Sequence, residues 1–210
     1  MSKQNYKYRI YNGKIIKEII KKSEIYLFGF LFVCGIIFGA YYVKQSDALF
    51  KEKISEICTS YIQSKAGQGI TENIISNALI NMIFSAINIF LGFSLVGFPL
   101  LFWVPLLKGL GVGVFSGYMY SSYKLTGLGY CAMLVYPGTV ISAFSLILAC
   151  CDSCAYSKNA FEKSIRGKGQ FEKDETKIYL IRQFVYLTIC FCSSVIDALS
   201  AILFSKLFNF

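Results

Sequence analysis

The 210-residue chain contains no histidine, only three prolines and little charge: 16% of its residues are Asp, Glu, Lys or Arg, where an ordinary globular chain carries roughly 25%. Without histidine there can be no Ser/His or Cys/His nucleophile pair, no HExxH metalloprotease site and no His-ligated haem or zinc. Walker A loops, GxGxxG turns after a strand and GxSxG elbows are missing too, so nothing is built to cradle phosphate or activate a nucleophile. No enzymatic activity and no cofactor are expected. Residues 1–24 never form a sustained apolar core ahead of a small-residue cleavage site, so the first apolar segment is expected to stay in the mature protein.

What is present is apolar. Hydrophobic residues make up 55% of the chain and aromatic ones 17%, and the charges gather into patches that leave long uncharged runs between them. Such runs predict an all-α, polytopic membrane helical bundle of about five transmembrane helices, the third of them broken and Gly-rich. Residues 1–24 form a basic segment with Lys3, Lys7, Arg9, Lys14, Lys17, Lys21 and Lys22 against two acids, read as a short helix on the inner membrane face. Ile25–Val43 is free of charge and spans about 28 Å as a helix, which matches a bilayer core of about 30 Å. The polar loop 44–73 carries an amphipathic stripe, Ile54, Ile57, Cys58, Tyr61 and Ile62, at i, i+3, i+4, i+7 and i+8. From Asn73 to Leu107 no charge appears for about 52 Å of helix, too long for one span. Gly97-Phe98-Pro99 and Trp103-Val104-Pro105 mark the break. The spans are thus expected at about 25–43, 74–96, 100–123, 127–150 and 178–206 within a membrane domain 25–208, with Pro137-Gly138 interrupting the fourth.

Charge orients this arrangement. The segments 1–24 and 152–177 hold seven and six Lys or Arg, while the longer 44–73 loop holds four. The positive-inside rule then puts the N-terminus and the 152–177 loop in the cytoplasm and the 44–73 loop outside. The same distribution accounts for the net charge of +9 without nucleic acid, whose binding would need the basic residues on one groove or face.

Several constellations stand out against this background. Gly109, Gly113 and Gly117 leave one face of span three nearly bare, with Gly35 and Gly39 a weaker copy in span one. Small-xxx-small faces let helices approach closely in lipid, within one chain or between copies in a homo-oligomer. Asn77, Asn81 and Asn88 fall along one side of span two, where amides seek partners across helices. Asp197 is a carboxylate deep in an apolar helix, read as neutral or paired with Lys108 or bundle amides, or as a proton-coupled site. Lys108 is expected near or just inside the inner interface. Cys151 and Cys154 form a single CxxC, too little for a structural zinc site, and no metal is expected. The eight cysteines are read as packed small hydrophobes rather than a disulfide framework.

The stretch Asn77–Leu148 resembles the stage II sporulation protein M family. The resemblance rests on an Asn-containing span, the Gly92-x-Ser94-x-x-Gly97-x-Pro99 break, the Lys108-Gly109 pair opening a Gly-rich helix, the TGLGY turn and a proline in the next span. The Cys150–Cys154 run and Tyr136-Pro137-Gly138 depart from the family pattern. The resemblance implies a non-enzymatic membrane scaffold that gathers peptidoglycan hydrolases, stage II sporulation proteins D and P, at the septal membrane during engulfment. On that reading Ile54, Ile57, Tyr61 and Ile62 of the outer helix would dock the partner. The alternative is a small transporter subunit or channel using Asp197 and the Asn face of span two.

Overall fold

A computed structural model describes residues 3–67, 69–94, 96–165 and 173–204; the middle of the second charged block and the end of the last expected span lie outside them. Helix α1 (Lys3–Gln45) joins the basic segment to the first apolar run without interruption, where the sequence suggests a separate short surface helix. No proline or glycine stands between Lys14 and Leu27 to break it. After Ser46 and Asp47 the chain forms α2 (Ala48–Gly67), then α3 (Ile70–Phe93). The break expected near Gly97 follows: Ser94 is extended, a single turn α4 (Gly97–Leu100) comes next, and α5 (Trp103–Tyr130) starts with Pro105 in its first turn. Proline is tolerated there because the first helical N–H groups have no partner within the helix.

Helix α5 doubles back inside its own range. Lys124 takes φ 51° and ψ −128°, a backbone conformation L-residues seldom adopt. Beyond it Gly127 lies against the carbonyl of Met119, where any Cβ would collide. The reversal brings the Tyr136 hydroxyl within 3.1 Å of Ser116 Oγ. The chain does not break at Pro137-Gly138 as expected. A π turn (Cys131–Val135) leads directly into α6 (Tyr136–Ile165), with the Tyr136 N–H donating to the Cys131 carbonyl. Widening the helix by one residue is how it admits a proline that lacks an N–H and whose ring crowds the preceding turn. Helix α7 (Lys173–Phe204) completes the bundle.

Four stretches are long and apolar enough to cross a membrane: Ser23–Gln45, Thr71–Phe93, Gly97–Ser164 and Asp174–Ala201. The third is the hairpin folded at Lys124. The chain is therefore an all-α polytopic bundle, with no strand among the described residues. Helix α6 packs on α7, α3 covers both, and α1 lies along α5. The α1–α5 contact is backbone against backbone. A Cβ on Gly35 would strike the Leu106 carbonyl, one on Gly109 the Phe32 carbonyl, and one on Gly113 the Ile36 carbonyl. Gly39 faces Leu110 and Val114, and Gly117 faces Ala40 in the same way. The two glycine faces thus meet each other within one chain.

Candidate functional site

Helix α3 presents Asn73, Asn77, Asn81, Ser85 and Asn88, all buried, at four- and three-residue steps. The stripe faces α6 and α7, whose own small polar residues receive it. Asn81 Nδ2 donates to Ser194 Oγ at 3.2 Å, and Lys108 Nζ donates to Asn81 Oδ1 at 3.0 Å. Asn88 Nδ2 donates to Gln183 Oε1 at 3.3 Å, while Gln183 Nε2 reaches the Ala149 carbonyl and Ser153 Oγ. In a low-dielectric interior such amides are held because each lost bond strands a polar group. Gln183, Ser153 and Ser194 carry half of this network, and the signal that could have found them is simply polar side chains inside otherwise apolar runs.

Lys108 is 7% exposed and lies deeper than the interface position expected for it. Leu106 and Leu110, on either side of it, flank Gly35, which is midway along the first span. Its ammonium is 5.8 Å from the Phe84 ring centre, a cation–π contact that adds to the Asn81 bond. Asp197 packs against Gly138, where any Cβ would collide with its carboxylate. Tyr136-Pro137-Gly138 therefore has two local roles: the proline shapes the π turn and the glycine makes room for the acid.

Lys108, Asp197, Asn77 and Asn81 all line one cavity of about 350 Å³ between α2, α3, α5, α6 and α7. Thr139 and Ser142 add hydroxyls, and Ile80, Phe84, Leu107, Val112, Phe115 and Val135 supply apolar wall. Lys108 and Asp197 bring opposite formal charges to the wall of the same cavity. Asn88, by contrast, lies below the cavity in the filled part of the seam.

Helix α2 roofs this cavity with Ile57, Cys58 and Tyr61. This revises the docking stripe. Ile54 is 7% exposed and sits with Val43, Cys58, Tyr118, Met119 and Cys131 in a core cluster that Ile62 also joins. Tyr61 meets the Phe115 ring edge-on at 5.3 Å. Only Ile57, 69% exposed, points outward at the cavity rim. An apolar stripe covers the nearest apolar surface, and here that is the outer end of its own bundle.

The Cys150–Cys154 run belongs to the core. Cys150, Cys151 and Cys154 are buried with Phe28, Leu101 and Val104. Burial, reinforced by Glu24, pushes the Cys154 thiol up to about 11, and burial does the same to Cys58 in the roof. Thiols held that high are neither nucleophiles nor ready ligands, and no group of three metal-ligating side chains occurs among the described residues. At the same end Lys158 bonds Glu24 at 2.7 Å and lies 4.3 Å from the Phe98 ring centre. Burial alone would lower the pKa of that lysine; the Glu24 bond outweighs it and raises it.

The arrangement offers a largely apolar cavity carrying one Lys and one Asp, beside a seam filled by buried, hydrogen-bonded amides and hydroxyls. No curated protein and no solved structure matches the chain. The family model described as stage II sporulation protein M matches residues 28–202, from the first span to the last. The chain belongs to the stage II sporulation protein M family and is a sporulation-related membrane protein.

Proposed function

We propose that this protein is a non-enzymatic membrane scaffold that recruits and localises peptidoglycan hydrolases, of the stage II sporulation protein D and P kinds, at the septal membrane during engulfment. The observation that carries the reading is the outward face of α2. Once Ile54, Cys58, Tyr61 and Ile62 are turned into the bundle, Lys51, Glu52, Lys53, Glu56 and Ile57 are left exposed together. A mixed-charge surface around one large apolar anchor is what a transient protein contact uses. By the charge bias this face lies outside, where wall hydrolases work. Co-purification of the detergent-solubilised protein from sporulating cells tests it: recovery of cell-wall hydrolases is expected, and their absence in the presence of an ATPase would point to a transporter.

A transporter or channel remains the second reading, favoured by Lys108 and Asp197 in one cavity. Against a continuous channel, the seam below Lys108 is filled by Asn88, Gln183 and Ser153, each buried and bonded to its neighbours.

A further inference from the structure

Helices α3 and α5 hardly touch, and the cavity beneath α2 opens between them. Ile80 and Leu107, each about half exposed, flank the gap. Gly111 lies in it, exposed, with nothing within 4 Å of where a Cβ would stand. On the spans given above, α3 residues 77–84 and α5 residues 107–115 lie at the depth of lipid chains. This opening therefore faces acyl chains rather than water, and a ligand that enters through it comes from the bilayer.

The walls near the gap are apolar, whereas the far side carries Lys108, Asp197, Asn77, Thr139 and Ser142. Asn77 is 8% exposed, and its Nδ2 has no hydrogen-bond partner among the described residues. A buried amide N–H left unmade costs about 1–3 kcal/mol, so a ligand bringing an acceptor to that place gains affinity. Lys108 and Asp197 offset each other, so the ligand's polar group carries no net charge: an anion would gain Lys108 and meet Asp197, a cation the reverse. The volume of about 350 Å³ falls within the range of about 300–1,000 Å³ usual for small-molecule sites.

From these observations we infer that the cavity is a lipid-access binding site for a neutral, hydroxyl-bearing membrane amphiphile, an acylglycerol or a long-chain alcohol. The hydroxyl reaches Asn77, Lys108 and Asp197, and the chain leaves between α3 and α5 past Gly111. Roof helix α2 covers the site on its outer side with Ile57, Cys58 and Tyr61. The inference does not depend on hydrolase recruitment, which uses the exposed side of α2 and shares only the rim residue Ile57 with the cavity.

The test uses the full-length protein in phosphatidylglycerol/phosphatidylethanolamine nanodiscs with a dioleoylglycerol probe carrying a chain diazirine. After illumination, label is expected on peptides covering 77–84 and 107–115. Excess unlabelled dioleoylglycerol or oleyl alcohol should remove it, either competitor supporting the site and the pair ranking its two candidate ligands. Gly111→Phe, which has space for its side chain and should melt with the parent, and Asn77→Leu should each cut labelling roughly tenfold, as for one lost buried hydrogen bond or a blocked passage. Label spread evenly over lipid-facing helices, including Tyr26–Phe38, would overturn the inference. So would competition by phosphatidic acid alone, or unchanged labelling of a folded Gly111→Phe. The competition and mapping use unaltered protein, so they decide even if a variant fails to fold.

Discussion

Gly113 of α5 lies so close to Ile36 of α1 that the hydrogen in place of a side chain is what lets the two backbones meet: an added Cβ would strike the Ile36 carbonyl and Cα. With no hydrophobic force between helices in lipid, such close packing is a main source of their association.

Replacing Gly113 by Leu should therefore cost about 1–3 kcal/mol or more, the usual penalty of overpacking. A lower melting temperature and reduced folded protein in the membrane are expected. Gly111→Ala, two residues away but facing open space, should fall within about 0.5 kcal/mol of the parent. Equal losses at both positions would show that helix propensity, not the α1–α5 contact, sets the outcome.

The orientation can be read with an impermeant maleimide. Native Cys58 and Cys154 are poor reporters because both are buried with thiols near pKa 11. Ser60→Cys on α2 and Asn159→Cys on α6 are exposed instead. In intact cells the first should label rapidly and the second only after permeabilisation; the reverse order would invert the bundle.

Lys108→Met removes the donor to Asn81 Oδ1 and the positive charge near Asp197, and should destabilise by about 1–3 kcal/mol, the cost of a stranded buried acceptor. Adding Asn81→Leu should cost less than it does in the parent, because the Asn81 carbonyl that Lys108 served is then gone and only the bond to Ser194 is lost. A double variant as damaged as the sum of the two single ones would contradict the pairing.

At the inner end, the Glu24 bond holds the pKa of Lys158 above its ordinary 10.5. A group whose pKa is raised on folding stabilises below its unfolded value and loses that contribution as pH rises through the folded one. Glu24→Gln should thus lower stability by less than about 1 kcal/mol near neutrality, as for a partly exposed pair. The gap between parent and variant should be constant up to pH 9 and narrow above 10.5, read from melting curves across pH.

The helical, membrane-crossing nature of the chain was legible because it rests on composition: uncharged runs of bilayer length have few alternatives. The spacing of Gly109, Gly113 and Gly117 marks a face built for close approach, but spacing does not say whose backbone comes near, and the α1 residues they meet, Phe32, Ile36 and Ala40, are 77 residues away in sequence. The same limit applies to Asp197 and Gly138, joined only when α6 and α7 lie side by side. Pro137 reads as an interruption because the local pattern cannot show a π turn absorbing it, whereas the reversal at Lys124 falls where the charge and the following TGLGY already separate the third and fourth spans. The α2 stripe shows that a helix has an apolar face; that the face meets Tyr118 and Phe115 rather than another protein depends on the tertiary fold. Gly111, which lies between the packing glycines Gly109 and Gly113, faces open space, and composition alone does not distinguish it from them.

The central claim is recruitment through the outward face of α2, and it is tested most directly by quantifying hydrolases co-purified with Lys53→Glu/Ile57→Asp from sporulating cells. Both residues are exposed, so the variant should reach the membrane and melt like the parent. A loss of recovered hydrolase of roughly tenfold or more, the effect of removing an interface anchor worth at least 1.4 kcal/mol, is predicted, with the lipid-facing control Phe38→Ala unaffected. Hydrolase recovered at the parental level by the folded double variant would contradict the scaffold account.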